Sequence, residues 1–198
     1  MSADGGVMKL DTKKTSVVVI IPCHFRDKGT LCETTNRRIR KALAFLEGRP
    51  NPIIILTGDV PYRPGGVTLD ELMERKIAEM GFNGDVLPLT GDYGMFSEAR
   101  HVASFVGHAD WREFFVVSSP WYLFYAAPVW KRRAKERGAD VKFVSVLGTG
   151  GWRTWLTYIA LGILVRVAIL LGKERVLEKR MTQYQSGRMR GFTFDGCR

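Results

Sequence analysis

The residues of this chain that are equipped for chemistry fall in short polar runs, each placed directly after an apolar run. Cys23, His24 and Arg26 lie in "PCHFRDKG", and Thr57, Gly58 and Asp59 in "TGDVPYRPGG". A third run reads "TGDYG"; Ser118, Ser119 and Tyr122 belong to "SSPWY"; a fifth run, "GTGGWR", starts at Gly148. Glycines and small hydroxyl residues let backbone N–H groups come close to a ligand, and clustered amides attract negative charge. The chemistry indicated is therefore capture of a small anion, nucleotide-like or phosphorylated. Ser118 and Ser119 would add hydroxyls, Arg26 (and Arg63) a cation, and His24 an anion contact or a base.

Each of these residues also has a plainer role. Cys23 fits as a small buried hydrophobe, "TGD" as a turn, and Tyr122 and Tyr125 as packed aromatics. Glu98 and Arg100 read as helix-exterior residues, although Glu98 lies in the first turn of its helix and could reach the site. Ser119 suits the N-cap of a helix whose first residue is Pro120. No P-loop, G-x-S-x-G, G-x-G-x-x-G or kinase signature is present, so no nucleophile–base set and no reaction are assigned. Cys23, Cys32 and Cys197 form no C-x-x-C pair, and with His24, His101 and His108 they give no zinc spacing. No metal is expected, and no cofactor is identified.

The elements that must position these residues alternate. "SVVVII", "PIIILTGD", "DVLPL", "EFFVVSS" and "DVKFVSVLG" read as strands, the third weakened by Pro88. Between them lie four helical patterns. In "RRIRKALAFLEG", Ile39, Ala42, Leu43 and Leu46 share a face and Gly48 stops the helix. In "TLDELMERKIAEMG", Thr68 and Glu71 form a capping box above an inner stripe of Leu69, Leu72, Met73, Ile77 and Met80. "SEARHVASFVG" is assigned an N-cap at Ser97. "PWYLFYAAPVWKRRAKERG" turns Leu123, Ala126, Ala127, Trp130 and Ala134 inward. This alternation predicts a three-layer α/β, Rossmann-like domain with a mainly parallel five-stranded sheet. With the order 3-2-1-4-5, "PCHFR" and "SSPWY" face each other at the switch point, where such sheets bind ligands.

The boundaries read as a flexible N-terminus at 1–15, the domain at 16–150, one long apolar helix at 151–182 and a loose tail at 183–198. Within that helix, Trp155–Gly172 nearly has the length of a span but contains Arg166. Packing on the domain is preferred, ahead of lying on a membrane surface and then of spanning. The net charge of +10 and pI of about 9.8 favour an anionic partner. "KRRAKER" lacks a nucleic-acid-binding module, so a solvated helix face is preferred and nucleic acid is not an expected partner. "MSADGGVMKLDTKKTS" has no apolar signal core, and the cysteines suit a reducing compartment. The expected location is cytoplasmic, with membrane association as the alternative. Oligomeric state is left open.

From Ser16 to Gly148 the order of strands and loops resembles the YdcF/SanA/ElyC-like family, a domain family without an assigned activity. The resemblance rests on Arg38 and Ala42 in "RIRKA", Thr57, Gly58 and Asp59 in "ILTGD", and Glu71 in "LDELM". Ser119, Pro120 and Ala126 in "SSPWYLFYA" complete it. The family's junction histidine falls on Tyr122 and its arginine on Tyr125. Its asparagine–threonine motif is replaced by "YGMFSEA", keeping only Ala99, and the glycines after its first strand by "PCH". The resemblance implies the same fold, a link to the cell envelope and, from one branch, an adenosine-type ligand. Two alternatives stand beside it: a non-catalytic, envelope-associated scaffold, and a nucleotide-sugar glycosyltransferase, whose first strand "VVVIIPCH" resembles.

Overall fold

A computed structural model describes residues 15–23, 25–26, 30–58, 66–89, 94–148 and 152–189, with side chains described except at 25–26, 152–154 and 182–189. The apolar β-branched runs form β1 (Ser16–Ile20), β4 (Pro52–Leu56), β5 (Asp85–Pro88), β6 (Glu113–Ser118) and β7 (Asp140–Ser145). A two-residue pair, β2 (Phe25–Arg26) and β3 (Thr30–Leu31), forms a small antiparallel ladder after β1. The main sheet is parallel with the order β5-β4-β1-β6-β7, so the five strands predicted take the order expected of them. Pro88 ends the edge strand β5, where its missing N–H breaks little of the ladder.

Alternation along the central strands sends side chains to two helical layers. Val18, Ile20, Ile54 and Leu56 pack with α1 (Glu33–Leu46) and α2 (Leu69–Glu79) through Ile39, Ala42, Leu46, Met73 and Ile77. Val17, Val19, Ile53 and Ile55 pack with α3 (Met95–His108) and α4 (Pro120–Glu136) through Ala99, Val102, Val106, Ala126 and Trp130. Each fully buried Val or Ile contributes about 1.5–3 kcal/mol. The capping box of α2 forms as read: the Glu71 N–H donates to Thr68 Oγ1 and the Thr68 N–H to the Glu71 carboxylate.

Several local expectations are corrected. In α2 Met80 is exposed rather than inward, because it sits at the C-cap where the stripe leaves the core. Helix α3 begins at Met95 with Gly94 as its N-cap, so Ser97 lies buried inside the first turn and caps nothing. Apolar Met95 and Phe96 join the core and pull the start of the helix forward. Ser119 does occupy the N-cap position of α4, with Pro120 next, but its side chain makes no capping bond.

The single long helix at 151–182 is two helices, α5 (Trp152–Leu170) and α6 (Glu174–Met189). Gly172 breaks them apart with φ at +66°, a conformation costly for any residue with a Cβ. The expected loose tail is helical as far as Met189. Helix α5 packs on the α3/α4 side through Val165, Tyr158, Leu161 and Ile169, as a further layer. Among the described residues no helix is long and apolar enough to cross a membrane, which removes the spanning alternative for Trp155–Gly172. Helix α6 is held by charge. Glu174 pairs with Arg132 and Arg133 of α4, and Glu178 with Arg100 of α3. Part of "KRRAKER" is therefore a helix clamp, not a solvated face.

Candidate functional site at the strand ends

A parallel sheet brings the C-terminal ends of all its strands to one edge, and the polar runs that follow them share that rim. Pro22 and Cys23 follow β1, Thr57 and Gly58 follow β4, Ser118–Ser119 join β6 to α4, and Gly148 lies beyond β7. His24 and Asp59 lie outside the described residues, as do Arg63 and Thr149–Gly151, while Arg26 is described only as backbone in β2. Cys23 is half-buried and donates its N–H to Thr35 Oγ1 at 3.0 Å. Thr57 is buried and donates its hydroxyl to the Ile20 carbonyl at 3.4 Å. Gly58 has φ at +113° and lies so near Pro22 that a Cβ would come within 2.7 Å of its ring. On the other flank, a Cβ on Gly148 would meet Trp121 at 2.8 Å and Ser119 Oγ at 3.0 Å. Trp121 thus covers the β7 end of the rim, while its β4 end is built from Cys23, Thr57 and Gly58.

Between these flanks lies a side chain that the residue-type reading used only as a family match. Arg38 projects from α1 under the rim and is 3% exposed. It donates to the Ile21 carbonyl at 2.6 Å and to Ser119 Oγ at 2.7 Å, joining the ends of β1 and β6. Ser119 is therefore engaged as an acceptor for arginine, which explains why it does not cap α4. The Arg38 Nε and the Ser118 Oγ are buried with no hydrogen-bond partner. Among the described residues Arg38 makes no ion pair, and both of its acceptors are neutral.

A second group approaches from the opposite layer. Glu98 of α3 is buried, not on the helix exterior, and accepts a hydrogen bond from the Tyr122 hydroxyl at 3.2 Å. Burial pushes its carboxyl up to about 7, against the opposing pull of the Tyr122 hydrogen bond and of the Arg38 charge. Burial, and then the Glu98 charge, also raise the Tyr122 hydroxyl well above its ordinary range. Tyr122 further stacks edge-on to Tyr125 at 6.1 Å, the packing role read for that pair. Arg100 does lie on the exterior, pairing with Glu178.

The arrangement is a polar bridge across the sheet end: Arg38 from one helical layer, Ser119 at the junction, Glu98 and Tyr122 from the other. A fixed cation and a carboxyl that titrates near neutrality set the potential beneath a rim of amides and hydroxyls. Both groups left a trace in the sequence. Arg38 falls on the buried stripe of α1 with Thr35, Ile39, Ala42 and Leu46, and Glu98 falls between Met95 and Val102 at helical spacing. A charge on an apolar stripe marks a buried polar group. Among the described residues no group of His, Cys, Asp or Glu side chains is placed to hold a metal ion. No protein-family model matches the chain, and neither a curated protein nor a solved structure matches it.

Proposed function

We propose that this protein is a Rossmann-like binding domain for a small anionic ligand, nucleotide-like or phosphorylated, seated on the strand-end rim above Arg38. The observation that carries the reading is the buried guanidinium itself. Taking such a cation out of water costs several kcal/mol, and a carbonyl and a hydroxyl offset that less well than a negative charge does. An anion resting on the rim amides would supply the missing charge. The proposal includes a divergent relationship to the YdcF-like family, supported by Arg38 and Ser119, two of the residues that carry the resemblance and that bond to each other. No reaction is assigned. A second reading, a non-catalytic scaffold, draws support from Trp121 lying over Gly148, which closes one end of the rim.

Melting-temperature measurements with phosphate, pyrophosphate, nucleotides, nucleotide-sugars, S-adenosylmethionine and prenyl phosphates separate the two. A ligand at 100 times its Kd adds about 2.7 kcal/mol to stability. At least one of these anions is expected to raise the Tm of the wild type but not of Arg38→Met. The shift should shrink as pH rises through about 7, because Glu98 then becomes a charge of the wrong sign beneath the rim. A panel that moves nothing leaves the scaffold reading standing, and a metal-dependent shift with nucleotide-sugars alone favours the glycosyltransferase.

A further inference from the structure

We propose that the outer face of α5, together with the basic face of α6, docks this protein onto an anionic lipid surface. Apart from Arg166, every residue from Trp155 to Leu171 is uncharged and most are apolar, so the helix is apolar on both sides. Its inner side is used, with Val165 and Ala168 buried against the α3/α4 side of the domain. Its outer side is not, among the described residues. Leu156, Ala160, Ile163, Leu164, Val167 and Leu171 are all exposed, and their spacing places them on one stripe about 22 Å long at 1.5 Å per residue. Single exposed leucines are ordinary, but a continuous apolar stripe along a whole helix marks an interaction surface.

The chemistry of the occupant follows from α6. That helix turns its acids inward, where Glu174 and Glu178 are taken up by Arg132, Arg133 and Arg100. It leaves its bases outward. Arg175, Lys179 and Arg180 line an open groove with Val176, and none of the three makes an ion pair among the described residues. Lys173, in the turn from α5, is exposed as well. An apolar stripe followed in the chain by an unpaired basic face is the pattern of a segment that rests at the headgroup level of a negatively charged membrane. A second copy of the chain would complement the stripe but would set one basic face, and a net charge of +10, against another.

Vesicle flotation of the full chain tests this. Vesicles of phosphatidylcholine with about 30% phosphatidylglycerol should bind it at least tenfold more tightly than pure phosphatidylcholine, with binding lost in high salt as the screening length shrinks to about 3 Å near 1 M. Two variants should each lower that binding at least tenfold with an unchanged melting curve: Ile163→Gln/Val167→Gln, and Arg175→Gln/Lys179→Gln/Arg180→Gln. Absent binding, equal binding to neutral vesicles, or unaltered binding by either variant would overturn the proposal. So would a dimer in sedimentation equilibrium that Ile163→Gln/Val167→Gln dissolves while vesicles stay bare, which assigns the stripe to a second copy.

Discussion

Arg38 and Glu98 at the strand-end rim are buried charge-bearing groups; Leu156, Ile163 and Leu170 on α5 are apolar groups left in water, Leu170 at 84% exposure. The two regions break the ordinary distribution of polar and apolar residues in opposite directions. They are also completed differently. The rim is cross-linked from within, by the Ile21 carbonyl, Ser119 and Tyr122, and among the described residues no carboxylate pairs with Arg38. Among the described residues the α5 stripe has no partner on its outer side. Buried polar groups are tied to the fold that holds them, so disturbing the rim should unsettle the domain. Exposed apolar groups contribute little to the fold, so disturbing the stripe should alter association alone.

The sharpest test of that contrast is Arg38→Ala set beside Leu164→Gln. Arg38→Ala strips the Ile21 carbonyl and Ser119 of their buried donor and leaves a cavity between layers. A loss of about 2–5 kcal/mol is expected in urea denaturation, from two buried acceptors left without a donor and from the cavity that remains. Leu164→Gln should stay within about 0.5 kcal/mol of wild type. A mild Arg38→Ala would mean that the rim is not held by this side chain.

Next in size is the pH dependence from Glu98. Its folded value of about 7 lies above its ordinary 4.5, so the folded state favours the protonated acid. The resulting stability is fully present below about 4.5 and is lost as pH rises through about 7, about 3 kcal/mol in all at 1.36 kcal/mol per unit. Glu98→Gln keeps a neutral group of the same shape and should flatten the stability–pH curve between about pH 4.5 and 7. A variant curve parallel to wild type would show that Glu98 does not titrate there.

A smaller effect is expected at α6. Glu174→Gln weakens its pairs with Arg132 and Arg133 and should cost about 1–3 kcal/mol, because Glu174 is nearly buried. Amide exchange should speed up in α6 and leave β1 and β4 unchanged. Equal acceleration throughout would mean that α6 is part of the cooperative core, not a clamp on it.

Much of the fold was legible. The β-branched runs of β1 and β4 and the Thr68–Glu71 box are local signals that survived packing intact. The parallel order followed from alternation and crossover length. What was not legible depended on tertiary context. The start of α1 at Glu33 runs through Thr34, Thr35 and Asn36, poor helix formers that only burial against the rim makes favourable. The pair β2–β3 is too short to leave a periodic signal. Ser97 has the chemistry of a cap, yet burial of Met95 and Phe96 moved the helix start past it. At the site, Ser118, Ser119, Thr57, Gly58 and Cys23 were identified by type and do meet at one edge. Arg38 entered only through the resemblance and Glu98 only as a first-turn residue able to reach the site, because a charged residue in a helix is read as solvated until the opposing layer is in view.

The most direct test of the central claim is a pyrophosphate titration followed by backbone amide chemical shifts. Saturable shifts concentrated at Cys23, Thr57, Gly58, Ser119 and Gly148, and abolished in Arg38→Met, are what the anion-binding rim requires. Shifts confined to Arg175, Lys179 and Arg180, with the rim silent, would contradict it and make the basic groove of α6 the anion site instead.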